Sequence, residues 1–308
     1  PAYNPNNPSK DIAKSRNRAI VDLFEPGSTM KPMTISAALE TGKYTPDTKV
    51  ETAPGSFKIG TATVHDSHPN GLLTVAQVIQ KSSNVGSAKI ALSMEPQYMW
   101  GVFNQLGFGT ITHVNFPGEA AGKLRNYKTW HPIEQATISY GNGISVTLLQ
   151  LARAYTVFAN DGELRPVTLL KSKDVAVGQQ VFSKATALSV RDMLETVVQA
   201  GGTAPKAQVM GYRVAGKTGT AHKPGIGGYQ DKYIASFVGM APASNPKLIV
   251  AVMIDEPSNG QYYGGIVAAP VFSSVMGATL RMMGVPQDAP NNNVILPPVG
   301  LPEVKEAT

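Results

Sequence analysis

The chain of 308 residues is 42% hydrophobic and 16% charged, a composition that supports a buried core and excludes disorder along its whole length. It contains no cysteine, which excludes a disulfide framework, a thiolate metal site and a cysteine nucleophile. Its net charge of +6 is scattered rather than clustered among stacking aromatics, which argues against a nucleic-acid partner.

Taken in order, Pro1 to Pro8 is turn-rich and is the expected mark of a processed or engineered fragment. The basic arm Lys10, Lys14, Arg16 and Arg18 reads as a solvated face, with an anionic polymer or membrane surface as the other use of such charge. Residues 28–41 place Met30, Met33, Ile35, Ala38 and Leu39 at mixed three and four spacings and stop at Gly42, which predicts a helix. Pro32 falls in its first turn, where a missing N–H costs little. Further helices are predicted from a Thr74 cap to Lys81, from near Asn84, and from a Thr147 cap to Val157. Tyr212 to Gly216, Tyr233 to Ala241 and Leu248 to Asp255 are β-rich runs divided by the turn segments PGIGG and PASNPK, which predicts neighbouring antiparallel strands. A helix from Pro270 to Met283 follows, and 285–308, rich in Pro and Asn without periodicity, is expected to be a flexible tail. No run approaches the roughly 20 apolar residues that cross a bilayer. The pattern is α+β, an antiparallel sheet flanked by helices plus a mostly helical lobe. One domain covers 1–284, divided into a helical lobe at 29–150 and a sheet lobe at 151–284 that also takes the N-terminal segment. The cleft between them is the expected site.

Three short motifs carry chemistry. Ser28 and Lys31 form S-x-x-K at a helix start, Ser82 and Asn84 form S-x-N between two helices, and Lys217, Thr218, Gly219 and Thr220 form K-T-G-T on a strand. Each is weak alone; order, spacing and structural setting give them force. Residues three apart on a helix lie side by side, so a neutral Lys31 amine can take the Ser28 proton. The first turn leaves N–H groups free to bind an oxyanion, although a serine there is also an ordinary N-cap. A working base requires the Lys31 pKa to fall from about 10.4 towards 7, at roughly 4 kcal/mol. Burial and the like charge of Lys217 are the means, unless Lys217 is a solvated strand lysine. Ser82 and Asn84 present a hydroxyl and an amide to the cleft or simply cap their helices. Gly219 is expected where another backbone comes close, as for a peptide added to the strand edge.

With Arg16-Asn17-Arg18-Ala19, Phe24-Glu25-Pro26-Gly27, Gln80 to Gly86, Tyr140-Gly141-Asn142-Gly143, Gln150 to Tyr155 and Tyr262-Tyr263-Gly264-Gly265 added, residues 1–284 resemble the class B penicillin-binding protein transpeptidases of the septal, FtsI-like type. The resemblance implies a penicillin-binding transpeptidase or serine β-lactamase-like fold and a peptidoglycan D,D-transpeptidase that is also a β-lactam target, without cofactor or metal. It implies Ser28 as nucleophile, Lys31 as base, Ser82 as proton relay, Asn84 on the substrate amide, and Lys217, Thr218 and Thr220 on the terminal carboxylate. The N–H groups of Ser28 and Thr220 would form the oxyanion hole. Tyr262 and Tyr263 would form an apolar wall, with core packing as their alternative. It also implies stem peptides ending in D-Ala-D-Ala as partners, division-machinery membrane proteins beside them, and the periplasmic side of the inner membrane as location, with the anchor outside this chain. His222 departs from the family's usual Arg or Lys.

Other patterns also occur in the sequence. Gly211 to Thr218 satisfies G-x-x-x-x-G-K-[ST], but the segment after it cannot open a helix. His65 and His68 have ligand spacing, yet Pro69 and Asn70 follow and H-E-x-x-H is missing, so a loop is the reading. A serine β-lactamase shares all three motifs and a β-lactam sensor shares acylation; turnover separates them.

Overall fold

The computed structural model describes residue 6 and residues 16–171, 176–225, 227–258 and 260–295. After α1 (Arg18–Val21), a 3₁₀ turn at Gly27–Met30 runs directly into α2 (Lys31–Glu40). The expected helix over 28–41 is thus two elements. Pro32 stands in the first turn of α2 as the sequence suggested. Two short hairpin-like pairs follow: β1 (Lys49–Glu51) with β4 (Leu72–Thr74), and between them β2 (Ser56–Ile59) with β3 (Ala62–His65), all antiparallel. Next come α3 (Val75–Lys81), α4 (Asn84–Leu92), α5 (Pro96–Gln105), α6 (Pro132–Ser139), α7 (Leu148–Ala154) and α8 (Thr156–Ala159). Thr74 and Thr147 cap α3 and α7 with reciprocal Gln77 and Gln150 side chains, the box that fixes both helix starts.

Beyond the β5 (Glu163–Leu164) and β6 (Gln179–Gln180) pair lie α9 (Lys184–Val198) and a three-stranded antiparallel sheet in the order β7 (Ala215–Gly225), β8 (Gly228–Ala241), β9 (Leu248–Asp255). A single turn, α10 (Gly264–Val267), leads into α11 (Ala269–Met282). Phe272 of α11 meets Phe237 of β8 edge-on at 4.7 Å. One apolar core runs from α2 and α9 to the sheet and includes the fully buried Met30, Met33, Ile35, Phe103, Tyr155, Phe158, Phe237 and Phe272. Along α2 every residue from Lys31 to Ala38 is buried. Its flanks are therefore protein, and the polar groups it carries must find protein partners.

Two expectations change. The strand predicted at 212–216 begins at Ala215 and runs to Gly225, because β7 stays paired with β8 as far as Gly225 and Gly228. The tail expected from residue 285 is docked as far as the described residues extend. Asp288 accepts from Arg213 N–H at 2.7 Å and from the Ser244 hydroxyl at 2.7 Å. Asn293 accepts from Gly211 N–H and donates to the Val209 and Tyr212 carbonyls. Residues 296–308 of that segment lie outside the described residues. So do Lys10 and Lys14 of the basic arm, while Arg16 and Arg18 are paired with Asp22, and Arg18 also with Asp255.

Candidate active site

Pro26 and Gly27 set the entrance to the site. Gly27 has φ +56°, a left-handed conformation that favours glycine, and it turns the chain into the 3₁₀ turn that carries Ser28. Ser28 is 2% exposed and Lys31 is 0% exposed. Lys31 Nζ lies 2.6 Å from Ser28 Oγ, 2.8 Å from the Ser82 carbonyl oxygen, 3.1 Å from Ser82 Oγ and 2.8 Å from Asn84 Oδ1. The Asn84 amide is oriented by its own nitrogen, which donates to the His65 carbonyl at 3.2 Å.

Ser82 ends α3 in the left-handed conformation, φ 60° and ψ 38°. For a non-glycine residue this costs roughly 1–2 kcal/mol, so the loop has to be held by its surroundings. Asp66, just after β3, supplies much of that hold. Its carboxylate accepts from the Ser83 hydroxyl at 2.7 Å and from Val85 N–H at 2.9 Å. Ser83 in turn caps α4 through Gly86 N–H.

From the other side, Lys217 Nζ donates to Ser82 Oγ at 2.8 Å and reaches the Thr218 carbonyl and hydroxyl at 3.3 and 3.2 Å. Lys217 is 0% exposed, so the solvated-lysine alternative fails. Ser28, Lys31, Ser82 and Lys217 form one continuous hydrogen-bonded chain across three motifs that lie far apart in sequence. Thr218 continues it to Thr203, 2.7 Å away, and Thr220 accepts from Gly264 N–H at 3.0 Å. At Gly219 another backbone does come close. A Cβ there would fall 2.7 Å from the Pro26 carbonyl oxygen, 2.9 Å from Thr29 Cγ2 and 2.5 Å from Ser236 Oγ. Gly219 lets β7 press against the turn that carries Ser28.

Tyr262 and Tyr263 are half-buried just before α10. The Tyr262 ring stacks on Tyr233 at 3.9 Å and lies 4.6 Å from Tyr263, and His222 packs on Tyr233 at 4.4 Å. Burial, helped by Asp231 and Tyr262, pushes the Tyr233 hydroxyl up to about 12. Lys223 does not stand in for the missing basic group at 222, because it is engaged by Asp255 at 2.8 Å and Glu256 at 2.6 Å. Three residues before Ser28, burial raises the Glu25 carboxyl above its ordinary range despite hydrogen bonds from Gly143 N–H and Tyr229.

Sequence reasoning missed Asp66, Thr203, Glu25 and Tyr155, whose hydroxyl donates to the Thr29 carbonyl at 2.8 Å. Glu25 and Tyr155 stood inside stretches already singled out, which was the one available signal for them. Asp66 and Thr203 act only through contacts made by folding. His65 and His68 gather no third ligand, and no group of three or more His, Cys, Asp or Glu fit for a metal occurs among the described residues. The Gly211–Thr218 segment ends inside a strand rather than opening a helix, which removes the phosphate-loop reading.

A nucleophile with an adjoining buried lysine, a hydroxyl shared between two lysines, and a strand beside them is an arrangement for acyl transfer. Residues 1–277 match the model of the penicillin binding protein transpeptidase domain. The chain is 48% identical over 295 residues to a probable peptidoglycan D,D-transpeptidase PenA of Neisseria flavescens, covering 95% of this chain and 73% of that protein. It is 42% identical over 291 residues to peptidoglycan D,D-transpeptidase FtsI of Escherichia coli K12, covering 94% of this chain and 49% of the relative. The chain thus spans about half the length of several of the relatives it matches. Among solved structures, the apo transpeptidase domain of Burkholderia pseudomallei penicillin-binding protein 3 superposes with a TM-score of 0.86 at 54% identity, covering 90% of this chain and 85% of that one. The fold and the motif-based assignment agree with these matches, and the chain belongs to the penicillin-binding protein transpeptidase domain family.

Proposed function

We propose that this chain is the catalytic domain of a septal peptidoglycan D,D-transpeptidase that works through a Ser28 acyl-enzyme and is covalently inhibited by β-lactams. The observation that carries the reading is the buried chain Ser28–Lys31–Ser82–Lys217. Four oxygens lie within 3.1 Å of Lys31 Nζ, one more than an ammonium has protons to give. The Ser82 carbonyl and Asn84 Oδ1 can only accept. They match the two N–H groups of a neutral amine, whose lone pair is left to receive the Ser28 proton. Full burial and a second ammonium close by both favour that neutral form. Lys217 has three acceptors for its three N–H groups and is suited to stay charged.

In this reading Ser28 Oγ attacks the carbonyl carbon of the penultimate D-Ala while its proton passes to Lys31. The oxyanion is met by the N–H groups of Ser28 and Thr220. The tetrahedral intermediate collapses by breaking the C–N bond, and the proton returns through Ser82 to the leaving D-Ala nitrogen. The ester on Ser28 is then attacked by an amine of a second stem peptide, which loses its proton by the same path as the Ser28 oxygen regains one. Asn84 holds the substrate amide, while Lys217, Thr218 and Thr220 hold the terminal carboxylate. Tyr262 and Tyr263, with Tyr233 stacked behind them, form the apolar wall. The catalytic domain comprises the helical lobe 29–150 and the sheet lobe 151–284. The location is the periplasmic side of the inner membrane, among membrane proteins of the division machinery.

Intact mass after incubation with a penicillin tests the reading. One adduct per chain is expected, lost in Ser28→Ala and stable for many minutes after washing. Glu119, Glu134, Glu163 and Glu195 are each engaged by Thr112, Arg125, Arg165 and Arg213, Glu95 is exposed, and none of the five stands in an E-x-x-L-N setting like that of the class A β-lactamases. An adduct on Ser28→Ala refutes the nucleophile, and release within seconds transfers the chain to the β-lactamases.

A further inference from the structure

The far end of the β7–β8 hairpin makes a contact that none of these catalytic roles uses. β9 pairs with β8 only between Ile234 and Ala241, whereas β7 and β8 remain paired out to Gly225 and Gly228. Residues beyond His222 and Tyr233 therefore form a two-stranded arm past the sheet, and such a ribbon is marginal in water unless something holds it. At its root the His222 and Tyr233 rings pack together, and Lys223 is paired with Asp255 and Glu256. Towards its tip Tyr229, in register with Pro224, donates its hydroxyl to Glu25 Oε2 at 2.9 Å. The other oxygen of Glu25 accepts from Gly143 N–H at 2.9 Å. Asn142 also hydrogen-bonds the Tyr229 hydroxyl. One carboxylate thus ties the arm to the 140–143 loop, three residues before Ser28.

On the transpeptidase reading, the donor's carboxylate sits by Lys217, Thr218 and Thr220. A donor strand added antiparallel to β7 then sends its N-terminal residues towards Pro224. Pro224 is four residues beyond Thr220, about 13 Å at 3.3 Å per extended residue. Tyr229 is 55% exposed, so its ring is open to whatever arrives there. We propose that the Glu25–Tyr229 contact closes the far end of the donor groove and sets the number of residues the site admits on the N-terminal side of the attacked carbonyl. The consequence is selectivity for stem-length peptides over longer ones. This rests on the transpeptidase reading, but it concerns how much donor fits rather than how the donor reacts.

The test uses N-acetylated donor peptides of five and seven positions in which the last D-Ala is replaced by thioglycolate. The carboxylate is kept, and thiol release reports acylation. Each protein is scored by the ratio of its two kcat/KM values, so a general change in a variant's activity cancels. The wild-type chain is expected to use the seven-position donor at least tenfold less well than the five-position one. Tyr229→Ala should bring the two within threefold. Tyr229→Phe, which keeps the ring and loses the hydrogen bond, should fall between. Equal use of both donors by the wild type, or an unchanged ratio in Tyr229→Ala, overturns the length limit and leaves the transpeptidase reading standing. A wild-type chain that is acylated by penicillin yet releases thiol from neither donor overturns both.

Discussion

Replacing Asp66 tests whether the S-x-N loop is held in its reactive shape from behind. Asp66→Ala removes the two hydrogen bonds that hold the loop, from the Ser83 hydroxyl and Val85 N–H, together with a longer one from Asn70 at 3.3 Å. Bonds to charged groups contribute about 1.5–3 kcal/mol each when water is excluded, but Asp66 is only partly buried and water can replace part of that. About 2 kcal/mol is a reasonable net loss, comparable to the strain of holding Ser82 left-handed. If it falls on the equilibrium between the observed loop and a relaxed one, the reactive fraction drops by up to about 30-fold. The second-order rate constant for acylation by a fluorescent penicillin should fall by about 10- to 30-fold in Asp66→Ala and by less in Asp66→Asn, which retains one acceptor. Thermal unfolding, followed in parallel, should shift by only a few degrees. An Asp66→Ala protein with a lowered Tm but acylation within twofold of wild type would refute the argument, because Asp66 would then support the fold and not the loop geometry.

Lys31→Ala should slow acylation by at least about 10²-fold, and Lys31→Arg should not restore it, since a guanidinium does not lose its proton at accessible pH; near-normal acylation by the arginine variant would remove Lys31 as the base. Truncation after Gly284 should lower Tm by several degrees, because it strips the Asp288 and Asn293 partners from residues 209–213; calorimetry showing no change would return 285–295 to the status of a free tail. At Asp255 burial opposes the charge, but hydrogen bonds from Lys223 and Arg18 outweigh it and hold the carboxyl below its ordinary range. A depressed folded pKa gives stability that is present above about pH 4, the unfolded value, and is lost as pH falls through the folded one. Asp255→Asn should therefore be less stable than wild type at neutral pH and converge with it in acid; a gap that persists below about pH 3 would assign the loss to packing.

Much of the site was legible because its chemistry is concentrated in motifs whose order and setting can be read locally. A serine and lysine three apart on a helix are neighbours in any fold, so Ser28 and Lys31 needed no tertiary knowledge. The convergence of Ser82 and Lys217 was legible only through the resemblance, since nothing between them in sequence fixes their 2.8 Å contact. Asp66 was illegible for the same reason. A lone aspartate between a short strand and a loop carries no local pattern, and its role comes from where β3 delivers it. The docked 285–295 segment shows how composition misleads. Proline and asparagine break helical and strand periodicity, which reads as disorder, yet Asn293 and Asp288 hold this segment by bonding to backbone groups that no strand or helix satisfies.

Gly219 sharpens the point. A glycine within a strand correctly signalled a close approach, and a substrate strand was the nearest explanation in a sequence that carries K-T-G-T. Within the chain, the backbone that approaches it is Pro26, in the turn that bears Ser28. Contact between β7 and that turn, where the Pro26 carbonyl and the Thr29 side chain both reach Gly219, sets the Lys217–Thr220 strand directly against the turn that carries Ser28. Close-packed interiors have low compressibility. On the proposed mechanism an acyl group on Ser28 would therefore meet the same oxyanion donors, the N–H groups of Ser28 and Thr220, at both the acylation and the deacylation step, and the absence of a Cβ at position 219 is what would allow it.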